Sequence, residues 1–366
     1  MGMTISNKRR LWLHRYAIFA ALWIVALIFF GAQVKSTSSG LSVPDWPNTY
    51  GHFMFSFPWE KMVGGIFWEH SHRMIASIAG LFTFALTVAT YRIDDRKWVK
   101  RLSLSASIAV LVQGLLGGLT VLFYLPTWLS SSHGTLAQIY LCIVVSVAVV
   151  TSPRWSDAPA TSPDGGRISL RSLVLATTGV IFLQLIFGAV MRHSDAGLAI
   201  PDFPTMFGSW VPPLSDARLA AANHELRDLG LLWKRGMQDI SAAEMFSHVL
   251  HRAWAVVVTI MVLWTVIRVR RERAEAAIRR PAFLLLGLLA AQVTLGILTI
   301  LTEKQFTVAS LHLLNGALTL ATSVVLSIQV RHLLRDPNRD AVPVHQGRPR
   351  VAVPSGRALE ADEVGA

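Results

Sequence analysis

From Leu102 to Pro153 the chain contains no Asp, Glu, Lys or Arg. A stretch of that length without charge cannot form the surface of a water-soluble domain. A hydrocarbon core about 30 Å thick, by contrast, is crossed by a helix of roughly 20 apolar residues. The interval therefore holds two crossings with a turn at Pro126. Of the 366 residues only 15% are charged and 52% are hydrophobic, against about 25% charge in ordinary soluble domains. The same reading thus extends to the whole chain, and a pair of soluble domains is excluded.

Uncharged runs able to span lie at roughly 16–34, 69–91, 102–124, 133–151, 171–191, 246–267, 281–302 and 307–330. They predict an all-α polytopic membrane protein with eight transmembrane helices. The first run is longer than the usual 7–15-residue core of a signal peptide, so it reads as a retained helix. Cations gather before the first helix (Lys8, Arg9, Arg10, Arg15), after the second (Arg92, Arg96, Lys97, Lys100, Arg101) and after the sixth (Arg268, Arg270, Arg271, Arg273, Arg279, Arg280). The positive-inside bias makes that side cytoplasmic, with both termini on it, and places the chain in the cell membrane. The net charge of +12 is therefore an orientation signal rather than a nucleic-acid surface. The single cysteine, Cys142, excludes an internal disulfide and a cysteine-based zinc site.

Sliding the sequence along itself exposes a duplication. Gly31 to Gly51 (GAQVKSTSSGLSVPDWPNTYG) matches Gly188 to Gly208 (GAVMRHSDAGLAIPDFPTMFG) without a gap. After a longer second outer loop the register resumes. His72-Arg73 then falls on His251-Arg252, Gln113-x-x-x-Gly117 on Gln292-x-x-x-Gly296, and His133 on His312. Each half has an even number of crossings, so the halves share an orientation. They are expected to form two tandem four-helix bundles related by a pseudo-two-fold axis along the membrane normal. The predicted layout is a cytoplasmic N-terminus (1–15), a first bundle (16–151), a cytoplasmic linker (152–170), a second bundle (171–330) and a disordered cytoplasmic tail (331–366).

Outside the membrane, Asp45 and Asp202 sit in Pro-Asp-aromatic-Pro segments and read as turns closed by side-chain to backbone hydrogen bonds. The long loop 192–245 carries Leu219, Leu226, Leu229 and Trp233 at near-helical spacing, with Arg227, Asp228 and Lys234 between them. That pattern fits a helix lying in the lipid interface or one packed on the outer surface of the protein.

Ionisable groups within spans are expensive and mark a site by default. His72, His133, His251 and His312 stand at the outer ends of the even-numbered helices. One such histidine is ordinarily an interfacial residue satisfied by water. Four in register across a repeat instead suggest axial ligands, two per bundle, one to each face of a haem. With no thiolate nearby and with Gly114, Gly117 and Gly118 on the intervening helix, a flat macrocycle suits the site better than zinc or copper. Arg73 and Arg252 follow their histidines, either to meet haem propionates or to snorkel to lipid head groups. Gln113, Gln184 and Gln292 each precede a glycine by four residues, a spacing that reads first as helix packing and second as part of a haem pocket. The halves differ where Glu69-x-x-His72 becomes His248-x-x-His251. Glu69 shares a helix face with His72, so it serves chemistry in the first half or simply pairs with Arg73. His70 points elsewhere around the helix.

On FWEHSHRMIASIAG (67–80), VQGLLGGLTVL (112–122), SSHGTLAQIYL (131–141), FSHVLHRAWAVV (246–257), AQVTLGILTIL (291–301) and ASLHLLNGALTL (309–320), the sequence resembles the haem A synthase family over roughly residues 16–330. The resemblance implies oxidation of a methyl group of haem O to the formyl group of haem A for cytochrome oxidase. It implies His72 and His133 as ligands of the substrate haem, Glu69 as the catalytic carboxylate, and His251 and His312 as axial ligands of a resident haem b. Haem O synthase and cytochrome oxidase assembly proteins are the expected partners. Many members of that family carry a cysteine pair in the first outer loop, whereas residues 35–68 contain none, so the chain looks like the cysteine-lacking bacterial members. The alternatives are a di-haem b-type electron-transfer cytochrome and a non-catalytic haem carrier or assembly factor.

Overall fold

The structure, a computed structural model, describes residues 5–155, 162–163, 168–232 and 237–335. Among them are nine α-helices: α1 (Ile5–Ser36), α2 (Gly64–Ile93), α3 (Lys97–Leu122), α4 (Thr127–Val150), α5 (Leu170–His193), α6 (Asp216–Asp228), α7 (Ala242–Arg271), α8 (Ala276–Leu301) and α9 (Phe306–Leu333). All but α6 are long and apolar enough to cross a membrane, giving eight candidate spans. Among the described residues one short strand pairing occurs, Ser162–Pro163 running parallel to Leu334–Arg335. The protein is an all-helical multi-pass membrane protein.

The helices reach further than the uncharged runs. α1 already includes Lys8, Arg9 and Arg10, and α9 continues through Arg331 to Leu333. Backbone hydrogen bonding carries on where the chain leaves the hydrocarbon, while a charge count stops at the boundary. Serine at the start of α7 illustrates a well-defined end: Ser241 and Glu244 form a reciprocal capping box that satisfies two otherwise unpaired N–H groups.

Helix neighbours follow the duplication. α1 packs on α2, α2 on α3, α3 on α4 and α4 on α1; likewise α5 on α7, α7 on α8, α8 on α9 and α9 on α5. This arrangement is consistent with two tandem four-helix bundles. α1 and α4 of the first group also meet α9, and α4 meets α5. One apolar core runs through α1 to α4 and takes in Ala317 and Ala321 of α9. A second is built from α5, α7, α8 and α9.

The two outer turns repeat in detail. Asp45 accepts hydrogen bonds from the N–H groups of Tyr50 and Gly51, both at 2.8 Å. Asp202 accepts from Phe207 at 2.7 Å and Gly208 at 3.0 Å. Gly51 and Gly208 have φ of 74° and 68°, a left-handed conformation that glycine adopts without strain. α6 lies on the second outer loop, and part of its apolar side is covered by protein: Leu226 and Ala222 pack with Ile200, Leu232 and Met245 in a small core, while Leu229 at its end is exposed. Contact with protein is thus made along Ala222 and Leu226, as a helix packed on the protein surface requires. Trp233, Lys234 and the tail beyond residue 335 lie outside the described residues.

Candidate functional site

Each of the four histidines stands about two turns inside the N-terminal end of its helix, His72 on α2, His133 on α4, His251 on α7 and His312 on α9. They are therefore deeper than the uncharged runs suggest, and each ring is seated on a glycine of the preceding membrane helix. A Cβ built at Gly31 would lie 2.9 Å from His72 Cε1, one at Gly117 3.0 Å from His133 Cε1, one at Gly188 2.9 Å from His251 Cε1, and one at Gly296 3.1 Å from His312 Cε1. The missing side chain is what lets an imidazole lie against the neighbouring helix backbone. His72 and His133 are close enough to interact electrostatically, as are His251 and His312, so the structure brings together the two pairs that the repeat aligns. α4 and α9, which carry one histidine of each pair, pack against each other. The two sites therefore share a wall.

Of the three glycines on α3, only Gly117 seats a histidine. Gly118 receives the Trp46 indole, and Gly114 faces open space. The glutamines four residues before the seats are directed at the same histidines. Gln113 Nε2 donates to the main-chain oxygen of His133 at 3.0 Å. Gln184 Nε2 does the same to His251 at 3.0 Å and lies 3.3 Å from its Nδ1. Gln292 Nε2 lies 3.4 Å from His312 Nε2, and its Oε1 accepts from Asn315 at 2.6 Å. The Gln-x-x-x-Gly spacing is thus a seat for a histidine on the next helix, rather than a general packing motif. Asn315 is a site residue that the sequence reading missed; its only signal is its spacing of three from His312.

Glu69 is buried and doubly held. Its Oε2 accepts from the Val43 N–H at 2.8 Å and its Oε1 from Arg73 at 2.6 Å. The i+4 pairing with Arg73, one of the two roles the sequence leaves open for Glu69, is formed, and with the Val43 contact it ties α2 to the first outer loop. His248, at the matching place on α7, contacts the Ala196 carbonyl at 3.1 Å. It holds the second loop without supplying a carboxylate. His70 contacts Thr49 Oγ1 at 3.0 Å and so faces the loop.

The two arginines also face inward. Arg73 donates to the main-chain oxygens of Asp45 (2.6 Å), Asn48 (3.0 Å) and Val43 (2.7 Å) in addition to Glu69. Arg252 donates to the main-chain oxygens of Thr205 and Asp202, and its Nε is buried without a partner.

A haem fits this donor set. His72, His133 and His312 have a buried Nδ1 without a partner, and an unpaired buried polar group costs about 1–3 kcal/mol. Such groups persist in a site shaped for a further ligand. Each pair comes from two different helices, as opposite-face axial ligation requires. Among the described residues no three His, Cys, Asp or Glu side chains gather as a cage for a small ion.

These features define a duplicated multi-pass membrane protein with a buried imidazole pair in each half. The chain belongs to the COX15-CtaA family, described as cytochrome oxidase assembly protein, whose profile matches residues 14–324. It is similar to the "Heme A synthase" of Shewanella oneidensis, 26% identical over 334 residues that cover 88% of this chain and 96% of that one. It is 25% identical to the protein of the same name from Paracoccus denitrificans, covering 91% of this chain and 89% of that one. With the one from Symbiobacterium thermophilum it shares 29% identity over 76% of this chain and 85% of the relative.

Proposed function

We propose that the protein is a haem A synthase, an oxidoreductase that converts one methyl substituent of haem O to the formyl group of haem A. The observation that supports this reading is the asymmetry of the two buried histidine pairs: a fixed carboxylate stands beside one and not the other. It is made in a chain whose relatives carry that name. The methyl becomes CH2OH and then the diol CH(OH)2, which loses water to give CHO. Each hydroxylation is a two-electron oxidation that replaces a C–H by a C–OH; with water as the oxygen donor it releases two protons and an electron pair, which an external acceptor takes.

His72 and His133 would orient the substrate haem between α2 and α4. Glu69 lies one turn before His72 with both oxygens anchored. A carboxylate held in place needs no reorganisation to stabilise positive charge developing at the methyl or to take the proton released there. In the second half His251 and His312 would hold haem b, which when bound supplies one-electron transfer. Arg252, with a buried Nε donor still unpaired, is the better candidate for a propionate contact. Arg73 is assigned to clamping the first outer loop. The cationic segments support cytoplasmic termini, and a haem A synthase of a bacterium would sit in its cell membrane. Haem O synthase and cytochrome oxidase assembly proteins are the partners for supply and delivery.

The Glu69–Arg73 pair favours a second reading, in which Glu69 only fastens the loop. Pigment analysis of cells that make haem O separates the two. Expression of the chain should yield a formyl-bearing haem, and an unchanged haem O pool would overturn the synthase reading in favour of a di-haem cytochrome or a haem carrier. Glu69→Gln keeps an acceptor for the Val43 N–H but removes the charge. It should retain bound haem while product falls about 10²-fold or more. Undiminished product from this variant would leave Glu69 with the fastening role alone.

A further inference from the structure

At the end of the first bundle away from the histidines, the N-terminal part of α1 and the C-terminal part of α2 leave an open groove of about 610 Å³. Ala85, Val88 and Ala89 of α2 form its floor, and Arg9, Trp12 and Arg92 stand around it. The α2 residues recur at the three- and four-residue spacing of one helix face. The exposed Leu81 and Phe84 carry that apolar face on toward mid-membrane. Trp12 stacks on Tyr16 with ring centres 5.3 Å apart, and the Tyr16 hydroxyl donates to the Phe82 carbonyl at 3.1 Å. α1 thus supplies an aromatic wall fixed against α2. Arg9 and Arg92 are exposed, and among the described residues neither has an ion-pair or hydrogen-bond partner. Asp94, two residues after Arg92, is already held by Arg96 at 2.7 Å.

The second half does not repeat this floor. The register that sets His72 on His251 sets Ala85 on Trp264 and Ala89 on Arg268, and Arg268 is engaged by Glu272. Large side chains stand where the first half has only methyl groups.

We propose that the groove binds one anionic phospholipid, with its phosphate between Arg9 and Arg92 and an acyl chain along Ala85 and Leu81. A free phosphate would use the cations alone, and a neutral lipid the apolar floor alone. Cations at the mouth of an apolar groove between membrane helices suit a ligand that carries both features. A guanidinium meets phosphate oxygens in bidentate fashion, and a tryptophan is favoured at the head-group level. Along α2, Arg92 lies about 30 Å from His72, so the groove can be altered without touching the histidine pairs.

The test is native mass spectrometry of the full-length chain, purified in detergent and titrated with dioleoylphosphatidylglycerol, dioleoylphosphatidylcholine or inorganic phosphate. Other cationic segments also attract anionic lipid, so the difference between variants is what counts. The wild type should hold one more phosphatidylglycerol than Arg9→Gln combined with Arg92→Gln, each arginine contributing about 5-fold to the affinity for that lipid. Ala85→Trp copies the second half while keeping both arginines, and it should lose the same molecule. Circular dichroism checks that each variant is folded, and either one suffices if the other is not. Retention of phosphatidylglycerol at wild-type number and affinity in the folded variants would overturn the proposal. So would phosphatidylcholine held as tightly as phosphatidylglycerol, which would leave the arginines without a role. Displacement of the lipid by inorganic phosphate would do the same, by reducing the groove to a simple anion site.

Discussion

A single methyl group at Gly31 would stand 2.9 Å from His72 Cε1, and one at Gly188 equally near His251. Alanine is the best helix former, so neither helix is weakened by the exchange; the imidazole has to move. A displacement of about 1 Å near reacting groups can cost about 10²-fold in rate. Gly31→Ala is therefore expected to reduce formyl-haem yield by about that factor, and Gly188→Ala to diminish the haem b spectrum of the purified protein. Gly114→Ala, which faces open space, should leave both unchanged; loss of activity there would show that any added bulk on these helices is harmful. At this scale the sequence is informative about what is rare. Histidines and a glutamate inside apolar helices are conspicuous, and the repeat holds them in register. The glutamines are recognisable as a motif, but their target is not, because the rotation of one helix against its neighbour is a tertiary quantity.

The outer turns show what one carboxylate does for an element. Burial raises the Asp45 carboxyl, but the Gly51 and Tyr50 N–H groups and the nearby Arg73 outweigh it and hold the group below its ordinary 3.8. A carboxyl lowered on folding lends stability that is present above its unfolded value and is lost as pH falls through the lowered one. The first outer loop is thus expected to stay closed at neutral and mildly acid pH and to open only below the ordinary carboxylate range. Hydrogen exchange at the Tyr50 and Gly51 amides measures this. Protection should persist to below pH 3.8 in the wild type and be lost already at neutral pH in Asp45→Ala. Equal protection in the two proteins would mean that Arg73 alone closes the loop. The turn was readable from Pro-Asp-aromatic-Pro because the chemistry is local. The packing partners of α6 were not, since its apolar stripe suits lipid and protein equally and Ile200, Leu232 and Met245, which cover Ala222 and Leu226, come from elsewhere in the loop and from α7.

Across the whole molecule, the number of spans follows from hydropathy and the pairing of helices from the repeat, yet the seam between the halves is invisible in either. It is made by polar side chains near the helix ends, among them Lys35 and Arg192, which the repeat aligns with each other but which take different partners. Arg192 donates to the Ala32 carbonyl at 2.9 Å and to Ser36 Oγ at 2.8 Å, Ser36 meets Ser310 at 3.0 Å, and Lys35 pairs with Asp195 at 2.9 Å. All lie near the outer ends of α1, α5 and α9. Lipid tails are as apolar as leucine, so no hydrophobic force drives helices together inside the membrane; packing and interhelical hydrogen bonds hold them, the latter averaging about 0.6 and reaching about 1.7 kcal/mol. The Lys35–Asp195 pair is partly exposed and belongs to the class contributing about 0–1 kcal/mol. Arg192, with two inter-half acceptors, should matter more. Arg192→Leu is expected to destabilise the purified protein by about 1–2 kcal/mol in SDS-induced unfolding, and Lys35→Ala by less than half of that. The order of the two effects is the decisive reading. If Lys35→Ala is the more damaging, the exposed ion pair rather than the Arg192 cluster joins the halves. If neither variant differs from the wild type, the seam rests on the close packing of Ala317 and Ala321 against α1 and α4.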